Sequence, residues 1–155
     1  MSRPRRRHGV GKPDLVLSIP SDNAFLSLVR DLTKKLAQGA GFDDTTAGRV
    51  ALAVDEATTN VIEHAYHGAK DREVLIRFSD RGADFRIDVV DTGDTVDPRS
   101  VPRFNLEQYV SERRTGGLGM HLMGKIMDSV TFRRSGRRNV CGLVKHKRER
   151  DSEEH

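Results

Sequence analysis

Helical and strand patterns in this chain are segregated, and that order is what most limits its fold. DLVLSIP (14–20) alternates apolar and polar residues and stops at Pro20, which predicts a short strand. Ser21 or Asp22 is placed to cap the helix that follows. Within that helix Phe25, Leu28, Val29, Leu32, Leu36 and Ala37 recur at helical spacing up to Gly39 and Gly41. FDDTT (42–46) caps a second helix, which reads as continuous to Gly68, with a buried stripe of Val50, Ala53, Val54, Ala57, Val61 and Ala65. Two alternating strands, EVLIRFSD (73–80) and DFRIDVVD (84–91), come next. Residues 92–115 break the pattern with Gly93, Pro98 and Pro102 around a short amphipathic piece at 104–110, as a functional loop or lid does. A glycine-rich entry at 116–119 opens a third helix with a stripe of Leu118, Leu122, Met123 and Ile126. SVTFRR and NVCGLVKHK then form a second hairpin turned by SGRR. This β-α-α-β-β-lid-α-β-β order predicts an α+β fold: a two-layer sandwich whose mixed, mainly antiparallel sheet is covered on one face by helices. It excludes a doubly wound sheet, which needs strands and helices to alternate.

The 155 residues suit one domain. The reading divides them into a disordered basic tail (1–13), a globular domain (14–147) and a charged tail (148–155). The formal net charge is +4. Five basic residues and no acid stand in residues 1–13, which leaves the remainder at −1, so a basic nucleic-acid-binding face is not expected. Aromatic residues make up 5%, too few for base-stacking platforms. No apolar run approaches the roughly 18 residues that span a bilayer. The first residues lack the apolar middle of a signal peptide, and the single cysteine, Cys141, cannot form an internal disulfide. A cytoplasmic protein is expected. Cys141, Met123 and Met127 read as core residues, and His64 and His67 as residues that pack or cap rather than bind metal.

Three polar features interrupt this pattern. Glu56 and Asn60 lie four apart on one helix face, with His64 extending the row. They fit either the solvated edge of an amphipathic helix or a proton-accepting carboxylate followed by a neutral oxygen for Mg²⁺. Asp91-Thr92-Gly93 ends a strand. It fits either a turn or a carboxylate that accepts a hydrogen bond from an exocyclic amine, with Gly93 admitting close backbone approach. Gly116-Gly117-Leu118-Gly119 fits a flexible loop end or a helix N-terminus whose amides receive an anion. It is neither a Walker loop, since no Lys-Ser or Lys-Thr follows, nor a Rossmann loop, since no strand precedes it.

In that order the three features resemble the GHKL ATPase superfamily, which has the Bergerat ATP-binding fold. Within it the chain is most similar to bacterial anti-sigma-factor serine/threonine kinases, over residues 14–147. VDEATTNVIEHAYHG (54–68) is similar to the family's N box, which implies Glu56 as general base and Asn60 as an ATP-binding residue and Mg²⁺ ligand. VVDTGD (89–94) is similar to the first glycine box, which implies Asp91 and Gly93 at the adenine. TGGLGMHLMGKIMD (115–128) is similar to the second glycine box. It implies a phosphate site of Arg114, Thr115, Gly116, Gly117, Leu118, Gly119 and Met120, with Gly117 and Gly119 at the phosphates and an ATP lid over 94–115. Three positions depart from the family pattern. Thr95 stands where a second glycine is usual, Thr115 stands directly before the last glycine box, where a basic residue is common, and Arg138-Asn139 replace a Gly-Thr pair.

The resemblance implies a protein serine/threonine kinase with ATP and Mg²⁺ as cofactors. Its implied partners are a STAS-domain anti-sigma-factor antagonist, which it phosphorylates, a sigma factor or other target, which it sequesters, and a second copy of itself, with the first helix as dimer surface. Two further readings stand beside it. One is a nucleotide-gated binding module without kinase activity; the other is a histidine-kinase-type domain acting in trans, against which Glu56 and the short lid count.

Overall fold

A computed structural model describes residues 13–94 and 117–148 of the chain. Strand β1 (Leu15–Pro20) directs Leu15, Leu17 and Ile19 to the helical side, opposite Phe78, Ile76 and Val74. Pro20 ends it at the sheet edge, where a missing amide hydrogen is tolerated. The Asp22 carboxylate accepts a hydrogen bond from the Ala24 amide at 3.0 Å and so caps a 3-10 turn, Asn23–Phe25, that leads into helix α1 (Leu26–Gly39).

Only Val29, Thr33 and Ala37 of α1 are fully buried, one row at four-residue spacing. Leu28, expected in the buried stripe, is half exposed. One residue along a helix turns the side chain by about 100°, which carries it off that row. Thr33 is polar within the row, and its hydroxyl donates to the Val29 carbonyl at 2.6 Å.

Helix α2 (Asp44–Asn60) starts on Asp43, whose carboxylate accepts from the Thr46 amide at 2.7 Å. More of α2 is buried than a single stripe allows: Ala47, Ala51 and Thr58 are covered as well as Val50, Ala53, Val54 and Ala57. The reason is position. The helix packs on α1, on helix α3 (Gly117–Ile126) and on the sheet. Its alanines permit close approach from more than one side.

The α2 segment was expected to remain α-helical to Gly68. It widens instead into a π turn, Val61–Ala65, in which the Tyr66 amide donates to the Val61 carbonyl at 3.0 Å. His67 (φ 51°) and Gly68 (φ 78°) then adopt left-handed backbone and end the helix.

Strands β2 (Glu73–Asp80), β3 (Asp84–Asp91), β4 (Ser129–Ser135) and β5 (Arg138–His146) complete a sheet in the order β1-β2-β3-β5-β4. All four pairings are antiparallel. The last strand therefore inserts between β3 and β4, which sets Asn139 directly opposite Asp91. The core lies between sheet and helices, with Ile76, Phe78, Ile87, Val89 and Leu143 from the sheet and Val29, Val50 and Val54 from the helices. Met123, Met127 and Cys141 belong to it, and burial pushes the Cys141 thiol up to about 12, so it is no nucleophile. Of the lid expected at 94–115, only Asp94 is among the described residues; Thr95 and the amphipathic piece at 104–110 lie outside them. No described helix is long and apolar enough to cross a membrane.

Candidate functional site

The end of β3 is tied down from three directions. Asp91 is buried on the helical side of the sheet, and its Oδ1 accepts from the Gly93 amide and from the Asn139 side-chain amide, both at 2.8 Å. Burial raises the pKa of this carboxyl above the ordinary aspartate value, while those two hydrogen bonds pull it down. Both bonds fall on Oδ1; Oδ2 is used by neither. From the adjacent strand, Asn139 also donates to the Gly93 carbonyl at 3.0 Å.

The third direction is the π turn. A β-carbon at Gly93 would run into the Ala65 carbonyl, so only glycine fits there. The same carbonyl accepts from the Asp94 amide at 3.0 Å. Tyr66 adds a bridge: its hydroxyl donates to the Glu73 carbonyl at 2.5 Å and accepts from the Thr92 amide at 2.9 Å. The Arg72 guanidinium lies 5.1 Å from the centre of that ring. At the surface, His67 Nε2 meets Asp94 Oδ2 at 2.8 Å. Widening the helix leaves Ala65 presenting its carbonyl to the next segment, and π turns often accompany functional sites.

Glu56 and Asn60 sit one turn apart on α2, just before the π turn, and both are partly exposed. Burial raises the pKa of Glu56 above the usual glutamate value, with smaller contributions from the negative charges of Asp55 and Glu63. A carboxylate raised toward neutrality is a better proton acceptor. The amide nitrogen of Asn60 is enclosed and has no hydrogen-bond partner. Among the described residues no group of three or more His, Cys, Asp or Glu side chains could hold a metal ion. A cation beside Asn60 would take a neutral oxygen from the protein, a ligand set that suits Mg²⁺ carried on phosphate oxygens.

The sequence-derived phosphate residues divide in two. Gly117, Leu118, Gly119 and Met120 form the first turn of α3, whose leading amides have no partner within the helix. Arg114, Thr115 and Gly116 lie outside the described residues. The structure thus joins Asp91 and Gly93 to the end of the helix that carries Glu56 and Asn60, and packs α3 on that same helix. Sequence reasoning missed Asn139, Tyr66 and Ala65. The first is visible only as a departure from the family's Gly-Thr pair; the other two carry no signal apart from helical spacing.

Comparison with known proteins bears on the family and the fold. A family model, the histidine kinase-like ATPase domain, matches residues 19–145. The serine-protein kinase RsbW of Bacillus licheniformis is 30% identical over 115 residues, covering 72% of each chain. RsbW of Bacillus subtilis is 29% identical over 118 residues, 74% of each. Two solved structures share the fold at low identity. The RsbU and RsbW domains of a Mycobacterium tuberculosis protein give a TM-score of 0.60 at 13% identity, over 85% of this chain and 31% of that one. The SiaB–SiaC complex of Pseudomonas aeruginosa gives 0.59 at 12%, over 86% of this chain and 90% of that one. An ATP-binding enzyme follows, and the chain belongs to the histidine kinase-like ATPase family, in the branch of its serine-protein kinases.

Proposed function

We propose that this protein transfers the terminal phosphoryl group of ATP to a serine or threonine of a STAS-domain anti-sigma-factor antagonist, and that it sequesters a sigma factor or a comparable target when that antagonist is unavailable. The observation that carries the reading is the buried Asp91 carboxylate, fastened to the end of the helix that holds Glu56 and Asn60. An acid that keeps an acceptor atom unused at a strand end, beside a helix with a basic carboxylate and an unpartnered amide, suits a 6-aminopurine nucleotide with its metal. RsbW relatives named as serine-protein kinases, and a fold shared with a protein crystallised in complex with SiaC, support the partner class.

Each residue has a distinct task in this reading. Asp91 Oδ2 accepts from the base amine, and Gly93 lets backbone approach the ring. Asn60 holds Mg²⁺ through its amide oxygen. Gly117 and Gly119, with Arg114, Thr115, Gly116, Leu118 and Met120, receive phosphate charge at the start of α3. ATP supplies the transferable phosphoryl group. Glu56 takes the proton of the incoming hydroxyl, and its raised pKa makes it a stronger proton acceptor than an ordinary glutamate. Catalysis rests on positioning and charge stabilisation. The exposed side of α1 is the proposed face for a second copy of the chain.

The test is transfer of labelled phosphate from ATP to a cognate STAS protein. Wild-type protein is expected to label a serine or threonine. Glu56→Ala should abolish labelling with nucleotide affinity retained, and Asn60→Ala should weaken Mg²⁺-dependent ATP binding. Tight ATP binding without transfer would make the protein a nucleotide-gated binder, and acid-labile label on a partner histidine would place its chemistry with histidine kinases.

A further inference from the structure

The hairpin of β4 and β5 concentrates positive charge that the proposed chemistry does not use. Arg133, Arg134, Arg137 and Arg138 are exposed there, and no acid stands between Asp128 and Glu149. Residues 14–94, by contrast, hold fifteen acids and nine bases. The acids of the neighbouring strand β3 are otherwise engaged: Asp88 lies against Arg77 and Arg86, and Asp91 against Asn139. Charge on an edge strand keeps other chains from pairing with it, and among the described residues β4 pairs only with β5. That accounts for Arg133 and Arg134. It does not account for Arg137, in the turn, or for Arg138, on a strand with a neighbour on each side. The turn itself is short and tied. Ser135 pairs with Arg138, Gly136 (φ 62°) takes the left-handed backbone the turn needs, and Arg134 Nε donates to the Gly136 carbonyl at 3.0 Å. Arginines presented on such a turn bind with little ordering of backbone.

Position and chemistry narrow what the hairpin meets. Arg138 directly precedes Asn139, which is bonded to Asp91, so the hairpin tip stands at the candidate-site end of the sheet. A protein that brings a hydroxyl to that site must approach this end; a protein that is only held need not. The four bases are all arginine, and Phe132 beside them is 42% exposed. Arginine and aromatic side chains are concentrated in protein interfaces, where lysine is depleted, and the guanidinium fork pairs with a carboxylate through two hydrogen bonds. The acids of the chain's own end, Glu149 to Glu154, follow β5 from its opposite end. That end is about 26 Å of strand away, which only a fully extended tail would span. We propose that this hairpin is a docking surface for the STAS-domain partner, and that it takes an acidic segment of that protein next to the residue to be phosphorylated. This rests on the reading of the protein as a kinase of such a partner.

The experiment measures phosphotransfer by the full chain to a cognate STAS protein, with calorimetric binding of the same protein alongside. Arg137→Glu combined with Arg138→Glu is expected to raise KM and Kd for the STAS protein about tenfold, with kcat and ATP affinity unchanged. Arg133→Gln combined with Arg137→Gln, which leaves the neighbour of Asn139 in place, should raise both about threefold and keeps the test open if the first variant is poorly folded. Added salt should weaken binding by the wild-type protein and narrow its lead over both variants. An unchanged KM and Kd in the two variants would overturn the proposal. A fall in kcat or in ATP affinity with KM for the STAS protein unmoved would also overturn it, because the arginines would then act on the nucleotide. So would arginine-dependent binding of phosphatidylserine vesicles or duplex DNA with KM unmoved, which would give the patch to a membrane or to nucleic acid. Wild-type protein that binds the STAS protein through the hairpin but transfers no phosphate to it would uphold the docking surface and overturn the kinase reading instead. Wild-type protein that does not bind it at all would overturn both.

Discussion

The two ends of the candidate site are built to different standards. At the Asp91 end, backbone from Thr92 to Asp94 is stitched to the π turn and to β5 by hydrogen bonds, and Gly93 fits against Ala65 with no room for a side chain. At the Glu56 end, two side chains on one helix face are partly exposed, and Asn60 has an unpartnered amide nitrogen. Recognition of a rigid base benefits from a rigid acceptor, because little ordering is left for the moment of binding. Proton transfer to and from a second protein needs groups that the second protein can reach. On the proposed reading, the rigidity of one end and the openness of the other answer those separate demands.

If the base end is as tightly built as this, its weakest tolerance is at Gly93. Gly93→Ala should lower stability by about 3 kcal/mol, as overpacking against backbone does, and should abolish nucleotide binding. Chemical denaturation and nucleotide titration check it. A variant of ordinary stability would show that the Ala65 contact is loose and would erase the contrast between the two ends. Tyr66→Phe is the next largest perturbation. It leaves the Thr92 amide and the Glu73 carbonyl without their shared hydroxyl, at a cost of about 2 kcal/mol. The same measurement decides it, and a loss below a few tenths would mean that water replaces the hydroxyl.

The open end is tested by pH. Burial, Asp55 and Glu63 raise the pKa of Glu56 above that of an ordinary glutamate, and as the proposed base it must be ionised to work. Phosphotransfer should therefore fall about tenfold per pH unit below an inflection that lies above the glutamate reference of 4.5. A profile in which the inflection sits at or below that reference would remove Glu56 from the role of base.

How much of this was legible in the chain differs between the two ends. Glu56 and Asn60 share a helix face by spacing alone, and Asp91 and Gly93 stand at a strand end by alternation alone, so the polar intrusions could be located from periodicity. Helix α1, helix α2 to Asn60 and the strands were legible for the same reason. What was not legible depends on tertiary neighbours. Asn139 meets Asp91 only because β5 enters between β3 and β4, and nothing local in a hairpin states which strand its outer edge will join. Val61–Ala65 has a helical pattern, and its widening into a π turn follows contacts made by Ala65 to a segment some thirty residues away. Leu28 looked like core because apolar spacing does not reveal how wide a helical stripe the neighbours will cover.

The smallest effect joins the two ends through α2. Asp55 is buried, one of its carboxylate oxygens has no hydrogen-bond partner, and the Arg30 guanidinium stands 3.8 Å from the other. Burial raises the pKa of Asp55 and Arg30 partly offsets this. The folded protein therefore holds the Asp55 proton to higher pH than the unfolded chain does. Stability from this group is full below the unfolded value near 3.8 and is lost as pH rises through the higher folded value. At neutral pH the ionised carboxylate is a net cost, so Asp55→Asn should stabilise the fold by on the order of 1 kcal/mol or less, an advantage that disappears in acid. The same substitution removes a negative charge that raises Glu56, so the phosphotransfer inflection should move to lower pH while the affinity for ATP stays as it was. Denaturation at two pH values and a pH–rate profile read both effects from one variant. An inflection that does not move would mean that burial alone sets the pKa of Glu56, and that the open end takes nothing from the packed side of its own helix.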